Sequence, residues 1–189
     1  MPQPPLLIPT DRKIVAVLGA FCLFLATIEY LIPKPLPFMR LGIANLPLML
    51  ALDILPFRGF MLLVTIKILG QALISGTLFS YIFLFSCVGT ILSALSMFAL
   101  RLFFKQRISF VGICVAGALM STVSQIGLAW LFIFGKSTRY IIPPFLGAGL
   151  ITGISLGLWC AYFSAHSQWY REQLSTYRQS HTQHSSEEA

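Results

Sequence analysis

Three ionisable residues lie in or beside long apolar runs: Glu29 near the end of the first run, Asp53 near the end of the second, and Lys67 in the middle of the third. Only 10% of the chain is charged, and a charge at membrane depth is costly unless it faces a partner or a water-filled cavity. A lysine stem is long enough to approach either carboxylate, and the sequence leaves both pairings open. One reading has Lys67 pair with an acid, or snorkel, and merely fix helix register. The other has Glu29, Asn45, Lys67 and Gln71 border a polar pocket that holds a solute. Asp53 reads as an interface residue near Arg58. In the fifth apolar run Ser121, Thr122, Ser124 and Gln125 form a polar stretch. Serine and threonine can satisfy their own helix backbone, so Gln125 is the one that demands a partner, as interhelical glue or as pocket lining. The proline-rich loop Pro33 to Arg40 carries Lys34 and Arg40 and, with Lys136 and Arg139, could form a positive mouth for an anionic solute; contact with lipid headgroups is the plainer use.

The motifs of several reaction types are missing. There is no Walker A loop for nucleotide hydrolysis, no aspartate-rich motif to hold magnesium and a diphosphate among the six acids of the chain, and no Ser/His/Asp or HExxH constellation. His166, His181 and His184 all fall in the C-terminal tail. Cys22, Cys87, Cys114 and Cys160 have no CxxC spacing and read as small core residues. The expectation is a non-enzyme with no cofactor and no metal.

The elements that must position these residues are membrane helices. The composition is 57% hydrophobic with a mean hydropathy of +0.82, and 189 residues suffice for one bundle of about six spans at roughly 20 residues each. The fold class expected is therefore an all-α membrane protein, a single bundle of six helices. The spans are placed at Ile14–Ile32, Leu41–Leu55 (short, and containing Pro47), Gly59–Ser75, Leu78–Phe103, Phe110–Phe134 and Ile141–Ala165. Residues 1–13 form a short N-terminal segment, 14–165 the transmembrane domain, and 166–189 a polar tail expected to be disordered, with Trp169 and Tyr170 as interfacial anchors. Sorting the basic residues by side puts Arg12, Lys13, Arg58, Arg101, Lys105, Arg107, Arg171 and Arg178 on one face, against Lys34, Arg40, Lys136 and Arg139 on the other. The richer face should be cytoplasmic, with both termini there, in a multi-pass protein of the bacterial inner membrane. The formal net charge of +7 is then a matter of headgroups and orientation, not of nucleic acid.

Two stripes of small residues permit close helix approach. Gly149, Gly153 and Gly157 share a face of the sixth helix, where packing within the bundle is the expected use. Ala16 and Ala20 share a face of the first helix that could receive a partner subunit.

Glu29 followed by the proline-rich loop, then Leu41-Gly42-Ile43-Ala44-Asn45, Lys67-Ile68-Leu69-Gly70, Ser75-Gly76-Thr77 and Ser93-Ala94-Leu95-Ser96-Met97, resembles the Gx transporter family, which is also labelled heptaprenyl diphosphate synthase component I. The resemblance spans roughly Ala26 to Gly157. It departs in the fifth helix, where Ser121-Thr122 stands in place of a His-Asn pair ahead of Gln125. The family is similar to the substrate-binding S components of energy-coupling factor transporters. That resemblance implies a six-helix, S-component-like subunit in which the outer helix ends close over a vitamin-like solute. It further implies that Ala16 and Ala20 meet a transmembrane coupling subunit, with ATPase subunits as separate proteins. The synthase label implies instead a non-catalytic membrane partner of a prenyl-diphosphate or quinone-related enzyme.

Overall fold

The computed structural model describes residues 9–32, 42–104, 108–140 and 142–175. Its long helices are α1 (Pro9–Leu31), α3 (Phe57–Ile74), α4 (Tyr81–Phe104), α5 (Phe110–Ala129) and α6 (Ile142–His166), with a short α2 (Leu46–Ala51) entered through a 3₁₀ turn, Ile43–Asn45. Among the described residues five segments are long and apolar enough to cross a membrane, and α2 is not one of them. This is a multi-pass, all-helical membrane protein among its described residues. Where the sequence reading placed about six spans, the described residues show five long helices and one short inner helix.

Contacts between the helices fix their directions. Gly19 of α1 faces Leu63 and Ile66 of α3, and further along Leu23 packs over Gly70, so α1 and α3 run in the same direction. The chain between them must therefore come back, and α2 is that return leg. It begins beside Glu29, near the end of α1, and delivers Asp53 to the opposite end of the bundle. Each later neighbour is antiparallel. Phe57 of α3 meets Phe98 of α4 edge-on and Phe60 stacks on the same ring, while Lys67 reaches Thr90. Gly117 of α5 lies by Met97 and Gly89 of α4 by Ser121 and Gln125, while Gly149 of α6 lies by Thr122 and Gly157 by Val111.

The result is an open ring, α1–α3–α4–α5–α6, around a central helix. Every residue of α2 is buried. Its Leu48, Met49 and Leu50, with Ile54 just beyond it, share the core with Leu18 and Cys22 of α1, Phe60 and Leu63 of α3, and Cys114 and Cys160 of α5 and α6. Pro47 falls in the first turn of α2, where no intrahelical N–H is missed. The 3₁₀ turn starts from Gly42 at φ 81°, a left-handed conformation that glycine adopts at little cost.

The α5–α6 seam is the most extensive contact in the fold, and the glycine stripe produces it. A Cβ at Gly157 would come within 2.6 Å of the Val111 backbone, one at Gly153 within 2.9 Å of Ala118, and one at Gly149 would collide with Thr122. Gly149, Gly153 and Gly157 are thus taken up inside the bundle. Ala16 and Ala20 are exposed. At the end of α5 the helix loosens into a π-helical turn, Trp130–Phe134, and then a 3₁₀ segment, Gly135–Tyr140, so the apolar span runs to about the expected Phe134 with its last turn no longer α-helical.

Beyond α6 the structure departs from the expected tail. Residues 168–175 are helical, and Tyr170 is buried at 2% exposure instead of lying at an interface with lipid.

Candidate functional site

Glu29, Asn45, Lys67 and Gln71 are all buried, Glu29 to 1% and Lys67 to 2% exposure. Glu29, Asn45 and Lys67 come together where the return leg begins. The Glu29 carboxylate accepts hydrogen bonds from the backbone N–H groups of Gly42 (3.4 Å) and Ala44 (3.2 Å). The first N–H groups of a helical segment have no intrahelical acceptor and carry partial positive charge, which makes them a good seat for an anion. Glu29 is that anion, supplied by α1.

One turn further the Lys67 ammonium donates to Asn45 Oδ1 at 2.7 Å and to Thr90 Oγ1 at 3.0 Å. Helix α3 brings Lys67 to this level, the 3₁₀ turn brings Asn45, and α4 brings Thr90. Gln71 follows Lys67 by four residues and so shares its face of α3. Its Oε1 is buried with no hydrogen-bond partner among the described residues, as is Ser93 Oγ on α4, one turn from Thr90. Two buried polar groups left open are unusual, because such groups normally find partners or water.

Gln125 is also buried and donates to Ser121 Oγ at 3.1 Å. Gly89 lets both residues come up against α4: a Cβ there would sit 3.2 Å from Ser121 Oγ and 3.5 Å from Gln125 Nε2. Thr122 and Ser124 return their hydroxyl protons to their own helix, to Ala118 and Met120, as side chains of these types do. A small cavity of about 20 Å³ lies between Gly42, Asn45, Ser121, Thr122, Gly149 and Thr152, which is room for one water molecule. A second, much larger space of about 440 Å³ opens between α1 and α6.

Asp53 is elsewhere. The sequence reading set it near Arg58, or as a partner for Lys67, whereas the structure gives it to Arg101. Both guanidinium contacts, from Nε and Nη2, are 2.5 Å, and the Tyr170 hydroxyl donates to Asp53 from 3.4 Å. Arg58 is exposed. Arg101 also lies over the Phe110 ring at 5.6 Å, a favourable cation–π placement. Burial raises the Tyr170 phenol above its ordinary pKa, and the negative charge of Asp53 adds to that. The sequence could not have found this cluster, since its members lie 48 and 117 residues apart. Arg40, Lys34 and the loop through Pro33–Pro37 lie outside the described residues, as does residue 176 onward. Arg139 is exposed.

The described residues contain no group of three His, Cys, Asp or Glu placed to hold a metal. The cluster brings together one ammonium, one carboxylate engaged by backbone, and a set of amides and hydroxyls.

Against known families, residues 18–163 match the model for heptaprenyl diphosphate synthase component I. The chain belongs to that family. No curated protein matches it, and no solved structure does. The matched stretch holds every member of the polar cluster, from Glu29 on α1 to Thr152 on α6, together with the return leg that joins them.

Proposed function

We propose that this protein is the solute-binding membrane subunit of a small-molecule uptake system, of the type represented by the S components of energy-coupling factor transporters. What carries the reading is the convergence of Glu29, Asn45 and Lys67, all buried, on the start of a broken return helix, with the buried Gln71 on the same face of α3 as Lys67. Membrane proteins that bind polar solutes use short or interrupted helices in this way, because a helix end supplies backbone groups that the bilayer cannot satisfy.

In this reading Lys67, Asn45 and Gln71 contact the solute, Gln125 lines the far wall, and Arg40 attracts the solute at the mouth. Glu29 holds the return leg in register. Five long helices plus the return leg make an even number of passes, so both termini lie on one side, the cytoplasmic side by the excess of basic residues. The exposed Ala16 and Ala20 face is where a transmembrane coupling subunit docks, and ATPase subunits are separate proteins. A reporter fused after Ala189 is expected to be active only in the cytoplasm.

A second reading rests on the family description: a non-catalytic membrane component that works with a prenyl diphosphate synthase. The two differ in what copurifies. A transporter subunit carries a small molecule and a coupling subunit, whereas an enzyme partner brings down a soluble synthase. The discriminating variant is Lys67→Met. Loss of solute affinity with retained membrane insertion supports the binding site, and unchanged affinity returns Lys67 to a packing role.

A further inference from the structure

The helical ring is not closed. Among the described residues α1 and α6 make at most marginal contact, and the space between them, about 440 Å³, is lined by Phe21 and Leu25 of α1, Thr152, Ser155, Leu156 and Trp159 of α6, and Ile43 and Leu46 of the return leg. It opens sideways, since Ser155 is exposed and Trp159 is 45% exposed. These residues fall in the middle of α1 and α6, well inside the spans, so the opening faces lipid and not water. The hydroxyls on its wall make no demand on an occupant: Thr152 donates to Ala148 and Gly149, and Ser155 to Ile151.

The size of the space selects what can enter. A single apolar chain fits, at the scale of an ordinary ligand pocket. The groove also adjoins a polar recess. Thr152 and Leu156 line both it and the small polar cavity of about 20 Å³ that holds Asn45, Ser121 and Thr122. That cavity admits a group the size of one water, so a hydroxyl fits and a carboxylate or phosphate does not. The chemistry agrees. Thr122 and Thr152 direct their protons into their own helices, leaving oxygen lone pairs toward the cavity as acceptors. Asn45 gives its Oδ1 to Lys67 and has its amide NH₂ to offer as a donor. A hydroxyl both donates and accepts, and so matches the pair.

We propose that the bundle binds a long-chain alcohol laterally from the bilayer, its chain in the α1–α6 groove and its hydroxyl in the cavity beside Asn45. This rests on the reading of Asn45 as part of a binding site and adds, beside the solute at Lys67, a neutral, single-chain amphiphile as a second ligand. Chain burial alone gives little preference, because lipid tails are as apolar as the groove. The hydroxyl anchor supplies the selectivity.

The test uses the full chain in phosphatidylcholine nanodiscs with hexadecanol carrying a mid-chain diazirine, and hexadecanoate with the same label. On illumination the alcohol should label peptides bearing Phe21–Leu25 and Thr152–Trp159, with about tenfold less label from the acid, a difference of about 1.4 kcal/mol. Ser155→Phe, at the exposed mouth where folding is not at risk, should remove the groove label, as should Thr152→Phe at the junction. Equal labelling of the lipid-facing Val17, Phe24 and Leu131 would mean annular lipid only and would overturn the proposal. So would equal labelling by alcohol and acid. Strong groove labelling by the alcohol in a protein that retains no water-soluble molecule would keep the groove assignment and reject a water-soluble solute.

Discussion

The two ends of the bundle treat buried charge in opposite ways. At one end Asp53, Arg101 and Tyr170 close on one another: a two-point guanidinium contact, a phenol on the same carboxylate, and an aromatic ring over the cation. At the other end Lys67 donates to an amide and a hydroxyl, and nearby Gln71 Oε1 and Ser93 Oγ have no partner among the described residues. The first arrangement has little left to bind. The second holds polar capacity in reserve, as a ligand site must. Charge at membrane depth is therefore a poor guide to function until its partners are known.

Breaking the closed end should cost the most stability and leave binding alone. Arg101→Met strands Asp53 in a mostly buried position, and removing one member of such a pair costs about 3–5 kcal/mol; urea unfolding in detergent should show that loss with solute affinity unchanged. A comparable loss of affinity would mean the two ends are coupled. At the open end Glu29→Gln weakens two charge-assisted bonds to the return leg, by about 1.5–3 kcal/mol, and should speed hydrogen exchange at Gly42 and Ala44 before any other backbone. The α5–α6 seam is expected to respond by about 1–3 kcal/mol to Gly157→Val, since the added carbons meet backbone that cannot give way.

The smallest effect is expected at Tyr170. Tyr170→Phe removes one hydrogen bond, about 1 kcal/mol, and should free residues 168–175 to proteolysis. The same contact carries a pH signature. The phenol is held neutral by burial and by Asp53, so its folded pKa lies above the ordinary value near 10. Its contribution is complete below that pH and is lost as the pH rises beyond it. Wild-type protection of the terminal helix should fall above pH 10, while Tyr170→Phe shows no such fall.

The long helices were legible because each is one continuous apolar run, and their boundaries agree within a few residues at α1, α3, α4 and α6. The return leg was legible as apolar but not as short. Leu46–Ala51 is surrounded by protein and not by lipid, and composition cannot tell these environments apart, since both are equally apolar. Glu29, Asn45, Lys67 and Gln71 were found by their cost at depth. Their roles were not: an acid bonded to the backbone of Gly42 and Ala44 looks, in sequence, like any acid. Asp53 was misassigned to Arg58, five residues away, because local spacing favours near neighbours. Its partner Arg101 arrives only through the antiparallel course of α3 and α4. The groove between α1 and α6 was invisible for a related reason, as a gap in a ring is a property of which helices do not touch.

The most direct measurement is native mass spectrometry of the protein purified in mild detergent, wild type beside Lys67→Met, each checked for fold by circular dichroism. A binding site at the Asn45–Lys67 cluster predicts a small molecule retained by the wild type and absent from a folded Lys67→Met. The same molecule retained by both, or none retained by the wild type, would contradict it.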